Sequence, residues 1–149
     1  MLKHKIRPLS FSDFQAPTSC SEFFRHLPVL ETERLRLRPF RRADAKDVFA
    51  YASDEEVARY ELWDAHQRLS ETRGYLAWMR QQYRNGQPAS WAIELRESKL
   101  VIGSIGFMWV SEEHRSGEIG YSLARSHWNQ GLTTEALRAV LSVSSEKIC

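Results

Sequence analysis

The clearest pattern along the chain is a switch of hydrophobic period. Arg34-Leu35-Arg36-Leu37-Arg38 alternates polar and apolar residues, which predicts a half-buried strand ended by Pro39. Its arginine stripe reads as a solvated face. Asp44 is the predicted N-cap of a helix that carries Val48, Phe49 and Ala52 inward. Ser53-Asp54-Glu55-Glu56 has the residues of a capping box and predicts a second, short helix. A longer helix, capped by Ser70, shows Tyr75, Leu76, Met79 and Tyr83 on one face and stops at Asn85-Gly86. The period then falls to two. Trp91, Ile93 and Leu95 alternate with Ala92, Glu94 and Arg96, and Glu97-Ser98 makes a turn. Leu100 to Val110 is a nearly unbroken apolar run, predicted as a strand buried on both faces, with Gly103 and Gly106 marking bulges or close approach.

Ser111 to Gly117 reads as a hairpin loop. Glu118 to Arg125 alternates again, with Ile119, Tyr121 and Leu123 on one face and Glu118, Gly120, Ser122 and Ala124 on the other. The loop Ser126-His127-Trp128-Asn129-Gln130-Gly131 opens a final helix with Ala136, Leu137, Val140, Leu141 and Ile148 on its inner face. The order is strand, two or three helices, three antiparallel strands, helix. This is an α/β (α+β layered) domain over residues 30–149. Residues 1–29, punctuated by Pro8, Pro17 and Pro28, read as an irregular extension with one helical turn around Ser21 to His26. Its Leu9, Phe11, Phe14, Phe23 and Phe24 are expected to pack on something.

Composition narrows the class. The 149 residues are 42% hydrophobic and 27% charged, an ordinary folded balance for one domain. The 21 basic and 19 acidic residues leave a net charge of +2 with no basic tract, so no nucleic-acid partner is expected. No run of about 18 apolar residues predicts a membrane span. Lys3, Lys5 and Arg7 are not followed by an apolar signal region, and the expected location is cytoplasmic. Cys20 and Cys149 have no metal spacing and make no disulfide framework; no metal is expected, and Cys20 reads as a buried or inert thiol.

The candidate chemistry lies where the strand from Glu118 meets the last helix. The first N–H groups of a helix lack intrahelical partners and carry the positive end of its dipole, so they suit a pyrophosphate. Gly131 lets backbone approach the anion, and Thr133 and Thr134 add hydroxyl donors. The loop is neither a P-loop nor a dinucleotide fingerprint.

Five stretches in this order resemble the GNAT superfamily of acetyl-CoA-dependent N-acetyltransferases, nearest to the ribosomal-protein N-terminal acetyltransferases. They are Glu31 to Pro39, Trp91-Ala92-Ile93-Glu94, Ile102-Gly103-Ser104-Ile105-Gly106, Glu118-Ile119-Gly120-Tyr121 and Trp128-Asn129-Gln130-Gly131. The resemblance implies a mostly antiparallel sheet flanked by helices. It implies acetyl-CoA as co-substrate, held by Ser122, Leu123, Asn129, Gln130, Gly131, Leu132, Thr133 and Thr134, with the strand at Ser122 and Leu123 pairing with the pantetheine arm. Glu118 becomes the general base that frees an amine from its ammonium, since only the free amine attacks a thioester. Trp63, Tyr75, Trp78 and Trp109 are candidates for an acceptor pocket, with core packing as the plainer role. The acceptor would be a protein N-terminus or a small-molecule amine.

Two departures from the family pattern stand out. Asn129 replaces a usual glycine and Thr133 a usual small residue. The family also continues beyond this helix with a strand, a helix and closing strands, so the domain is expected to be truncated at its C-terminal end. An inactive fragment acting as a CoA-binding or protein-interaction module, self-associating through an exposed strand edge, is the alternative reading.

Overall fold

The computed structural model describes residues 20–147. Five strands form one sheet in the order β1-β2-β3-β4-β5, each antiparallel to its neighbour. They are β1 (Leu30–Glu31), β2 (Leu35–Pro39), β3 (Ser90–Leu95), β4 (Val101–Ser111) and β5 (Ser116–Leu123). The helices are α1 (Cys20–Arg25), α2 (Ala45–Ala52), α3 (Glu55–Ala58), α4 (Leu69–Asn85) and α5 (Leu132–Lys147). The predicted α/β layering, with an antiparallel sheet flanked by helices, is what forms. The last helix expected from the sequence is present as α5, through Lys147.

The helical turn expected around Ser21 to His26 is α1, and its Phe23 and Phe24 are fully buried in the core. Phe23 meets Trp91 edge-on at 6.0 Å, and Phe24 meets Phe107 at 5.9 Å. Leu9, Phe11 and Phe14 lie outside the described residues. Trp91 is buried without a polar penalty because its indole N–H donates to the Pro28 carbonyl at 2.7 Å. Cys20 is buried as expected, but it is disulfide-bonded and not a free thiol.

Several local expectations change in the tertiary setting. Gly86 ends α4 in the left-handed conformation at φ 65°, as Asn85-Gly86 predicts. The cap of α4 is Arg68 and not Ser70, which lies within the first turn. Asp54 caps α3 by accepting from the Glu56 N–H at 3.0 Å. Asp44 precedes α2 as predicted but does not cap it with its side chain. Its carboxylate instead holds the Arg38 guanidinium at 2.8 and 2.9 Å, while Glu94 accepts from Arg38 Nε at 2.9 Å. Arg38 is therefore buried, contrary to the solvated stripe, because the turn Arg42–Asp44 covers that end of β2. Asp44 foremost, then Glu94, raises the Arg38 pKa against the pull of burial.

On α5, Val140 is fully buried, Leu137 is partly covered and Leu141 is half exposed. Of the inner face read from the sequence, Ala136 and Val140 are thus buried, while Leu141 is not. Ile148 lies outside the described residues.

Candidate active site

The site is built on the paired strands β4 and β5. Ser104 lies opposite Ser122, and Gly106 opposite Gly120, on one face of the sheet. Glu118, Gly120 and Ser122 line a groove of about 460 Å3 on that face, closed on its far side by α4 and the segment before it. The glycine pair keeps the groove floor flat. A Cβ on Gly106 would sit 2.3 Å from the Ser90 Cα, so only glycine fits there.

Behind the groove is a smaller cavity of about 120 Å3 between Tyr51 of α2, Tyr75 of α4, His66, Trp63, Ser104 and Ser122. Burial pushes the Tyr75 phenol up to about 12, opposed by the Ser104 hydroxyl, and raises Tyr51 well above its ordinary value for the same reason. Burial also lowers His66, which contacts the Thr72 hydroxyl through Nδ1 at 2.7 Å. All three groups are therefore neutral near pH 7.

The groove carries two carboxylates. Glu118 pairs across the sheet with Trp109, beside a register shift between Phe107 and Trp109. That irregularity brings the Trp109 indole N–H to Glu118 Oε1 at 2.7 Å. Glu61 stands at the other end, beside Ser122, and burial raises its carboxyl above the usual range while the Ser122 hydroxyl opposes the shift.

On the other side of β5 lies the loop. Asn129 and Gly131 adopt positive φ, 62° and 77°, which turns the chain sharply into α5. Helical bonding starts with the Glu135 N–H donating to the Gly131 carbonyl at 3.0 Å. The N–H groups of Leu132, Thr133 and Thr134 precede that bond and form the open N-terminal end of a 16-residue helix. Leu123, Asn129, Gly131, Leu132, Thr133 and Thr134 line one cavity of about 300 Å3, with His127 and Trp128. Gln130 is the predicted loop residue that does not line it; its amide turns back to the Ser126 carbonyl at 3.3 Å. Trp128 anchors the loop by donating to the Leu123 carbonyl at 2.8 Å.

Consecutive strand residues point to opposite faces. Ser122 therefore lines the groove while its chain neighbour Leu123 lines the loop cavity. Of the predicted acceptor-side aromatics, Trp63, Tyr75 and Trp78 line the groove, whereas Trp109 serves Glu118. His114 is exposed in the β4–β5 hairpin. Glu61, Tyr51 and His66 carry no motif in the sequence, and Ser104 enters only within the stretch Ile102 to Gly106. The available signal was a glutamate set among aromatics in Tyr60-Glu61-Leu62-Trp63. Among the described residues no cluster of His, Cys, Asp and Glu could hold a metal ion, and no helix is long and apolar enough to cross a membrane.

The sequence profile of the Acetyltransferase (GNAT) domain matches residues 34–148. The chain is 35% identical over 115 residues to the uncharacterized N-acetyltransferase YoaA of Bacillus subtilis (strain 168), covering 77% of this chain and 65% of that protein. A GNAT-family acetyltransferase from Bacillus anthracis matches with a TM-score of 0.66 and 26% identity, over 78% of this chain and 65% of its own. The ribosomal-protein α-N-acetyltransferase RimL matches in fold with a TM-score of 0.68 at 17% identity, over 79% of this chain and 65% of its own. The chain thus spans 65% of the length of the curated relatives it matches. The matched profile runs from the start of β2 through the loop and α5, and the chain belongs to the GNAT family of acetyltransferases.

Proposed function

We propose that the chain binds acetyl-CoA along β5 and the loop of α5, and passes the acetyl group to a primary amine held in the groove. The observation that carries this reading is that neighbouring residues of β5 line two different spaces: Leu123 the cavity at an anion-ready helix terminus, Ser122 an acidic, aromatic groove. The pyrophosphate would lie on the N–H groups of the loop from Asn129 to Thr134, with Gln130 contributing backbone only. The pantetheine arm would add to the outer edge of β5, the terminal strand among the described residues.

The reaction follows from that placement. Glu118, through water along the groove, takes a proton from the acceptor ammonium. The freed nitrogen attacks the thioester carbonyl in a ternary complex, a C–N bond forms, and the carbonyl oxygen is stabilised by backbone N–H near Leu123. Collapse breaks the C–S bond and releases the CoA thiolate, which is protonated as the amide nitrogen loses its second proton. The acceptor is a protein N-terminal amine, as the name of RimL describes for that protein, or a small-molecule amine.

Calorimetric titration with acetyl-CoA tests the reading, followed by thiol release on adding an amine. Saturable binding with amine-dependent release of CoA is expected. Absence of both heat and a rise in melting temperature would overturn it. A binding module without catalysis is favoured by one observation, the open edge of β5, which templates association with a second strand. That alternative predicts acetyl-CoA binding without turnover, and dimers in light scattering that dissociate when acetyl-CoA occupies the edge.

A further inference from the structure

The only charged side chains among the described residues lining the groove are Glu61 and Glu118; no lysine or arginine lines it. Glu118 is already engaged by the Trp109 indole at 2.7 Å. It is also four residues from Ser122 along β5, about 13 Å of extended strand. Glu61 stands beside Ser122 itself, fixed by the turn after α3 in which its N–H donates to the Ala58 carbonyl at 2.9 Å. Its surroundings are apolar. Tyr60, Leu62, Trp63 and Trp78 line the same groove, and Tyr60, Leu62 and Trp78 are 75%, 97% and 54% exposed. Large apolar side chains gathered at one mouth mark a binding surface. Aromatic faces attract cations, and a half-buried carboxylate is best compensated by one.

Resting on the reading of this groove as the acceptor site, we propose that Glu61 binds the acceptor ammonium beside Ser122, and that the acceptor is a primary amine on an apolar stem. The stem lies along Trp63, Trp78 and Leu62, and the ammonium reaches the end of the groove where Leu123 turns toward the cofactor side. Burial holds the Glu61 carboxyl above its usual range, so a cation at this point relieves a desolvated charge. Glu61 thereby sets specificity for a charged head with a hydrophobic body.

Titrations with n-hexylamine hydrochloride and with 1-hexanol test this without requiring turnover, read by calorimetry and by the fluorescence of Trp63 and Trp78. Hexylamine should bind at least tenfold more tightly than hexanol. Glu61→Gln should remove that advantage while leaving hexanol and acetyl-CoA binding unchanged, and Glu61→Asp should restore part of it. Trp78→Ala, at an exposed position that tolerates truncation, should weaken both probes and serves if Glu61→Gln does not fold. Equal hexylamine binding by Glu61→Gln, equal binding of the two probes, or no hexylamine binding by the wild type overturns the assignment. Hexylamine selectivity without acetyl-CoA binding would leave Glu61 its role and remove the proposed transferase function; the converse would do the opposite.

Discussion

The Glu135 carboxylate accepts from Arg34 Nε at 2.8 Å, and its second oxygen accepts from the Arg34 N–H at 2.9 Å and the Thr32 hydroxyl at 2.6 Å. One carboxylate in the first turn of α5 thus ties the β1–β2 connection to the loop. Arg34 extends the tie by donating from Nη1 to the Gln130 carbonyl at 3.0 Å. The arginine that sequence alternation assigned to solvent is part of the scaffold of the loop. Glu135→Ala should loosen it and weaken CoA affinity about tenfold, near 1.4 kcal/mol, with an unchanged far-UV spectrum. Calorimetry decides this; an unaltered affinity would show that the loop holds its shape without the clamp.

The same carboxylate predicts a pH dependence. Burial alone would raise the Glu135 pKa, but the Thr32 and Arg34 hydrogen bonds more than reverse it and hold it below the ordinary 4.5. A depressed carboxylate stabilises the fold above its unfolded value and loses that contribution as pH falls through the folded value. Melting temperatures of wild type and Glu135→Gln should therefore differ most above pH 4.5 and converge on acidification. Parallel curves down to pH 2.5, on the order of two units below the ordinary value, would count against the clamp.

Gly131→Asp should weaken CoA binding at least tenfold, or about 1.4 kcal/mol. Its φ of 77° is strained for any L-residue, and the new carboxylate would lie where the phosphates are proposed to bind. The Cβ itself has room, with Arg34 Nη2 at 3.6 Å, so the variant should fold. Unchanged binding in a folded protein would remove the loop from the cofactor site.

Glu118→Gln should lower turnover roughly a hundredfold and leave acetyl-CoA affinity nearly intact. Trp109→Phe removes the indole donor that orients Glu118 and should lower turnover less, about tenfold. Steady-state rates measured from about pH 6 to about pH 9 read both. Wild-type rates in Glu118→Gln across that range would reject the base.

Arg38→Ala leaves Asp44 and Glu94 facing each other in a buried site. Breaking such a cluster by removing one partner destabilises by about 3–5 kcal/mol. Urea denaturation should show that loss, and Arg38→Lys, which cannot span both carboxylates as a planar fork, should recover only part. A loss under about 1 kcal/mol would place the cluster with surface ion pairs.

Much of this architecture is written in local pattern. The two-residue period of Trp91 to Leu95 and of Glu118 to Leu123 specifies strands because successive side chains must alternate faces. Gly131 and Gly86 mark their turns because only a residue without Cβ adopts positive φ freely. These are constraints between near neighbours, so the order of elements, the flat glycine floor and the loop before α5 follow from the chain alone.

Alternation tells which residues share a face, not what lies over that face. Arg38 is buried because a turn six residues later folds back and presents Asp44. Glu118 meets Trp109 because the register shifts across β4 and β5. Glu61 reaches Ser122, sixty-one residues away, because α2, α3 and α4 bring the turn between them over the sheet. Each contact joins segments whose separation carries no local signal, and burial then changes the chemistry of the groups involved. A glutamate that reads as one more polar residue becomes a desolvated carboxylate facing a groove, and that property exists only once the chain is folded.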